Sequence, residues 1–78
     1  MNQENQEKRD RIEFDGEVVE ASNGQFKVKI TDNHIALCTL SGKIRQNMVR
    51  ILVGDLCRVE LSPYDLQRGR IVFRYKSA

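Results

Sequence analysis

The sequence contains no tryptophan, a single proline (Pro63) and a single histidine (His34). Aromatic residues are scarce as well, with three Phe and two Tyr. One histidine beside a turn, with no sequence partner of triad or metal-ligand type, offers no candidate for acid–base chemistry or a metal site. It reads as an exposed surface residue. Gly42-Lys43 lacks the upstream glycine that a phosphate-binding loop requires. The carboxylates gather in the N-terminal region, where a solvated face accounts for them. No catalytic residue, metal ligand or cofactor motif emerges, so the sequence points away from an enzyme.

Cysteine is limited to Cys38 and Cys57, a spacing that matches no zinc knuckle or redox motif. Both sit in apolar, strand-like runs, where free cysteine behaves as a small buried hydrophobe. A core role is favoured over a functional thiol or a bridge, and a reducing compartment fits. No apolar run approaches the roughly 20 residues of a spanning helix. Met1 to Arg11 has no apolar stretch, so neither a secretory signal nor a membrane anchor is expected there. Its acidic residues Glu4, Glu7 and Asp10 speak against a transit peptide. Residues 1–11 are expected to form a mobile polar tail, because so polar a segment buries too little surface to offset its ordering entropy. Residues 12–78 are expected to form one domain.

What the chain does have is an uneven charge distribution. Residues 1–40 carry five Lys/Arg against eight Asp/Glu, a balance of −3; residues 41–78 carry eight against three, a balance of +5. The net +2 hides this asymmetry. One electropositive face and a polyanionic partner would follow from it.

Period-two alternation with one wet face marks half-buried antiparallel strands. The pattern predicts strands over Ile12–Ala21, Gln25–Thr31, His34–Leu40, Leu56–Ser62 and Arg70–Tyr75. Gly16 marks a bulge or bend in the first. Asn23-Gly24 is a strong hairpin signal, since both residues tolerate positive φ. The third strand is apolar on both faces, so one face is a candidate contact surface. Ser41-Gly42 ends it, and a short helix follows in which Ile44, Met48 and Ile51 share a face. Residues 62–69, with Pro63, read as a loop. In the last strand Ile71, Phe73 and Tyr75 are expected inward. The result is an all-β, five-stranded OB-fold antiparallel barrel with a short helix between strands 3 and 4. An SH3-like barrel is the runner-up, but its long loop falls earlier in the chain.

Lys43, Arg45 and Arg50 lie on the connecting element; Arg68, Arg70 and Arg74 lie on the last turn and strand. In such a barrel these two regions can approach one side, where six cations would track a nucleic-acid backbone. Five of the six are Arg, whose guanidinium forks onto phosphates and stacks on bases. Tyr64 is either a stacking ring or a packed loop anchor.

The same residues fall into two blocks. One is Ser41-Gly42-Lys43-Ile44-Arg45, Asn47, Arg50-Ile51-Leu52 and Gly54-Asp55. The other is Ser62-Pro63-Tyr64-Asp65-Leu66 and Arg68-Gly69-Arg70-Ile71-Val72-Phe73-Arg74. With Phe14-Asp15-Gly16 and Asn23-Gly24-Gln25-Phe26, they resemble bacterial-type translation initiation factor one, the smallest of the initiation factors. The resemblance covers about Ile12 to Tyr75. It implies an OB-fold monomer on the small ribosomal subunit, at the aminoacyl-tRNA site. There it would contact ribosomal RNA and a neighbouring ribosomal protein and act with the other two initiation factors. It implies a cytoplasmic (bacterial) or plastid-stroma location, with no membrane partner. It assigns RNA contacts to Lys43, Arg45, Asn47, Arg50, Arg68, Arg70 and Arg74, and the loop aromatic to Tyr64. Gln46 departs from a position that is often basic, and the tail is longer than usual. A cold-shock-like RNA chaperone is the alternative. It is disfavoured because Phe14, Phe26 and Phe73 are expected inward, leaving too few stacking rings. A protein-interaction adaptor is the third reading.

Overall fold

The computed structural model of the protein describes residues 11–76. The expected tail at residues 1–10 lies outside the described residues; Arg11 lies inside them and pairs with Glu60.

Five strands appear in the order β1 (Ile12–Ser22), β2 (Gln25–Thr31), β3 (His34–Leu40), β4 (Leu56–Ser62) and β5 (Asp65–Lys76). A helix, α1 (Gly42–Gln46), stands between β3 and β4. The strands close into a barrel in the order β1-β2-β3-β5-β4. Four of the five seams are antiparallel, and the closing seam between β3 and β5 is parallel. That orientation follows from the chain path: α1 crosses the barrel end, and β4 runs back before β5 returns alongside β3.

The alternating residues read from the sequence form the core. Val18, Val28, Ala36, Cys38, Cys57, Val59 and Ile71 are fully buried and Leu61 nearly so, while Phe26, Ile44 and Ile51 complete the cluster. Asn23 and Gly24 both have positive φ (53° and 79°), as the β1–β2 hairpin requires. β1 pairs with β4 through Glu17 and with β2 from Glu17 onward, so it turns from one wall to the next beside Gly16. The register shift in β1 falls further on, between Val18 and Glu20.

Burial pushes both thiols up to about 11, with Cys57 also raised by the charge of Asp55 and lowered by Arg74. Both cysteines are free. They are core residues, too protonated at neutral pH to act as nucleophiles.

Four expectations are corrected. Residues 62–69 are not a loop: Ser62 faces Asp65 across a two-residue turn, and β5 begins at Asp65. Phe73 and Tyr75 do not point inward; they are 53% and 43% exposed. Between Arg58↔Phe73 and Val59↔Ile71 the register skips Val72. One extra residue in a strand moves every later side chain to the other face. Met48 does not share the buried face of Ile44 and Ile51; it leaves α1 with φ 55° and is 88% exposed. His34 is half-buried, and its Nε2–H donates to the Leu66 carbonyl, tying the start of β3 to the start of β5.

Gly69 lies in β5 between β3 and β4. It faces Cys38 on one side and Leu61 on the other. A Cβ there would overlap Leu61 Cδ2 and the Glu60 carbonyl, which is backbone and cannot yield. Gly69→Ala should therefore lower stability by about 2–3 kcal/mol, the upper range for overpacking, read as a fall in the urea midpoint. A neutral result would mean that the seam is loosely packed.

Candidate nucleic-acid interface

The helix α1 forms because Ser41 caps it. The Ser41 side chain accepts from the Ile44 N–H (3.2 Å), and its own N–H donates to the Ile71 carbonyl of β5 (3.0 Å). One residue thus starts the helix and fixes it to the barrel. Ile44 is the only buried residue of α1. Lys43, Arg45 and Gln46 are left on its exposed side. The Asn47 N–H closes the helix on the Lys43 carbonyl (3.0 Å). Arg50 follows in the loop, and its carbonyl accepts from Arg74 Nη1 (2.8 Å). Lys43, Asn47, Val72, Phe73 and Arg74 line a shared open cleft of about 220 Å³. The structure therefore brings together the helix and the distal half of β5, whereas the last loop, expected on the same side, lies at the other end of that strand.

Arg68 and Arg70 occupy the parallel seam, opposite Leu37 and Thr39. Thr39 and Arg70 are exposed side by side, so this part of β3 belongs to the same surface. Tyr64 does not join α1. It sits at the β4–β5 turn, separated from Ile71 by about 20 Å of strand at the usual rise per residue. Its N–H donates to Ser62 Oγ (3.1 Å), but the residue is 85% exposed, which suits stacking and not an anchor. The candidate residues thus form a stripe. Tyr64 lies at one end, Arg68 and Arg70 in the middle, and Lys43, Arg45, Asn47, Arg50 and Arg74 at the other.

Ion pairing separates this stripe from the rest of the surface. Lys27 pairs with Glu20, Lys29 with Asp32, and Arg58 with both Glu13 and Asp15. Those cations are neutralised locally. Arg70 is held by Glu60 (3.2 Å). Among the described residues, no carboxylate lies within ion-pair distance of Lys43, Arg45, Arg50, Arg68 or Arg74. Unpaired cations on one face give a field that a distant phosphate can feel.

Three residues escaped sequence reasoning. Arg11 was assigned to the tail, yet it reaches Glu60. Glu60 itself, on β4, organises two arginines. Phe73 was assigned to the core. It is exposed and meets Tyr75 edge-on at 5.1 Å. Tyr75 is in turn tied to Asp15 (2.8 Å) and covered by Arg58. No local signal marks the skipped residue that turns Phe73 outward.

A family model described as translation initiation factor 1A / IF-1 matches residues 3–78. Among solved structures, the chain is similar to translation initiation factor one from the Wolbachia endosymbiont strain TRS of Brugia malayi. Identity is 36% over 90% of this chain and 84% of that one, with a TM-score of 0.73. YloQ, a circularly permuted GTPase, shares the fold (TM-score 0.70, 19% identity, 83% of this chain). So does YjeQ from Thermotoga maritima (TM-score 0.68, 26% identity, 83% of this chain). The present chain spans 23% of each of those two proteins.

The cations differ in what removing them should do. Arg74→Ala loses a charged donor to the Arg50 carbonyl and should cost about 1 kcal/mol of stability. Arg45→Ala touches no structural partner and should stay within about 0.5 kcal/mol of the parent. Urea denaturation of both variants measures this; a larger loss at Arg45 would make it a structural residue.

Proposed function

The chain belongs to the translation initiation factor 1A / IF-1 family, and from that premise we propose that it binds the small ribosomal subunit at the aminoacyl-tRNA site. In this reading it acts there without catalysis, as a cytoplasmic or plastid monomer. It contacts ribosomal RNA and a neighbouring ribosomal protein and works with the other two initiation factors. The observation that carries the RNA contact is the set of cations on α1 and β5 that no described carboxylate neutralises, beside others that are paired.

Each part of the stripe has a role that its geometry supports. Lys43, Arg45 and Arg50 are exposed and meet phosphates as they approach. Arg74 is held in place by the Arg50 carbonyl, so its remaining donors are preorganised. Asn47 adds a donor and an acceptor beside the Phe73 ring in the shared cleft. Tyr64 offers a free face for a base. Gln46 can hydrogen-bond where a cation would add charge.

A second reading, general single-stranded RNA binding, gains from one observation. Phe73 is exposed, which adds a stacking ring to Tyr64. Competition decides between the two: a specific initiation factor prefers small subunits over random RNA, and a general binder does not.

Neutralising about four to six phosphates predicts a slope of roughly −3 to −4 in log K against log salt on single-stranded RNA. Arg45→Ala and Arg68→Ala should each weaken small-subunit binding and flatten that slope by about 0.7. Lys27→Ala, which removes a cation paired with Glu20, should do neither. Binding that is indifferent to salt would contradict the mechanism.

A further inference from the structure

Glu60 lies on β4 between two arginines that come from different parts of the chain. Its Oε1 accepts from Arg11 Nη1 (3.1 Å) and from Arg70 Nη2 (3.2 Å). The same oxygen therefore serves two guanidiniums, one preceding β1 and one on β5. Arg68 lines the same hollow, with Ser62 at its edge. The hollow has a volume of about 300 Å³. It is continuous with the stripe, because Arg68 and Arg70 belong to both.

The charge count is three guanidiniums against one carboxylate. A residual charge of +2 stays in the hollow even with the pairs intact. Each guanidinium carries five N–H donors in a fixed plane. Arg11 and Arg70 each spend one on Glu60, and both residues line the hollow. Their side chains are half-exposed, at 32% and 44%, so an incoming anion can reach them. Glu60 holds both arginines in one arrangement before any ligand arrives, which lowers the entropy that binding would otherwise cost.

We propose that Arg11, Arg68 and Arg70 form a phosphate-binding cleft, with Glu60 as its positioning carboxylate, and that it takes one backbone phosphodiester of RNA. This extends the RNA-binding face past β5 to the residue that enters β1, and rests on the RNA-binding reading above. Arginine forks match the two non-bridging oxygens of a phosphodiester. The position of the cleft on the stripe makes RNA the source of the phosphate. The negative charge of Glu60 opposes that phosphate, so the carboxylate both orders the arginines and limits their affinity. A glutamine there would keep the acceptor oxygen and remove the charge.

The test uses the full chain and isolated small ribosomal subunits, titrated across a salt series. Arg11→Ala should weaken binding about fivefold and flatten the salt slope by up to about 0.7, the value for one whole phosphate contact. Glu60→Gln should strengthen binding several-fold. Lys29→Ala removes an equal charge that is paired with Asp32. It should leave both quantities unchanged, which separates a site effect from net charge. If Arg11→Ala behaves like Lys29→Ala while Arg45→Ala flattens the slope, the cleft is overturned and the RNA face stands. If Arg45→Ala also leaves the slope unchanged, the RNA-binding reading itself fails. A parallel arm titrates inorganic phosphate and follows the Arg11 and Arg70 side-chain NMR signals. Weak, unsaturated shifts support the RNA assignment. Tight saturation would make the cleft a free-phosphate site and overturn it.

Discussion

The parallel seam between β3 and β5 is the constraint on which the rest depends. It closes the barrel and sets Arg68 and Arg70 against Leu37 and Thr39. It also carries the hydrogen bond from the Ser41 N–H to the Ile71 carbonyl. Ser41 caps α1, so the strand that closes the barrel also positions the helix. Small barrels leave no free sheet edge once closed. On its other side β5 packs against β4 through Gly69, where a Cβ would overlap Leu61 and the Glu60 carbonyl. A small domain with a limited core depends heavily on such a point.

Charge segregation follows from that topology. The carboxylates of β1 face outward beside β2 and β4, and there they meet Lys27 and Arg58. The seam keeps β1 away from α1 and from the β3 side of β5. The cations on those elements stay unpaired among the described residues, apart from Arg70. A net charge of +2 thus becomes a polar molecule with a self-neutralised wall and a cationic one. Surface ion pairs of this kind contribute little to stability. Their larger effect here is to decide which cations remain available to a polyanion.

Much of the fold was legible because local chemistry agreed with global structure. The Asn23-Gly24 hairpin, the alternation in β1 to β4, the strand end at Ser41-Gly42 and the core cysteines could all be read from neighbours in sequence. So could the basic stripe, since Lys43 to Arg50 and Arg68 to Arg74 are compact blocks. What was not legible depended on partners far along the chain. The register skip at Val72 is set by how β5 fits β4, and it turned Phe73 and Tyr75 outward against their alternation. The parallel sense of the seam comes from the path of the whole chain. Arg11 looked like tail because its partner Glu60 is 49 residues away. Tyr64 belongs to the same sequence block as Arg68 to Arg74, yet the length of β5 holds it at the far end of the barrel from α1.

On the RNA-binding reading proposed above, α1 and the β3–β5 seam face RNA and the β1–β2 wall does not. Directed hydroxyl-radical cleavage separates the two faces, with an iron chelate tethered at Gln46→Cys or at Glu20→Cys on the full chain bound to small subunits. Cys38 and Cys57 are buried and resist labelling in the folded protein. Strong cuts in the RNA around the aminoacyl-tRNA site are expected from position 46, with weak or no cuts from position 20. Equal cleavage from both, or cleavage from position 20 alone, would contradict the claim.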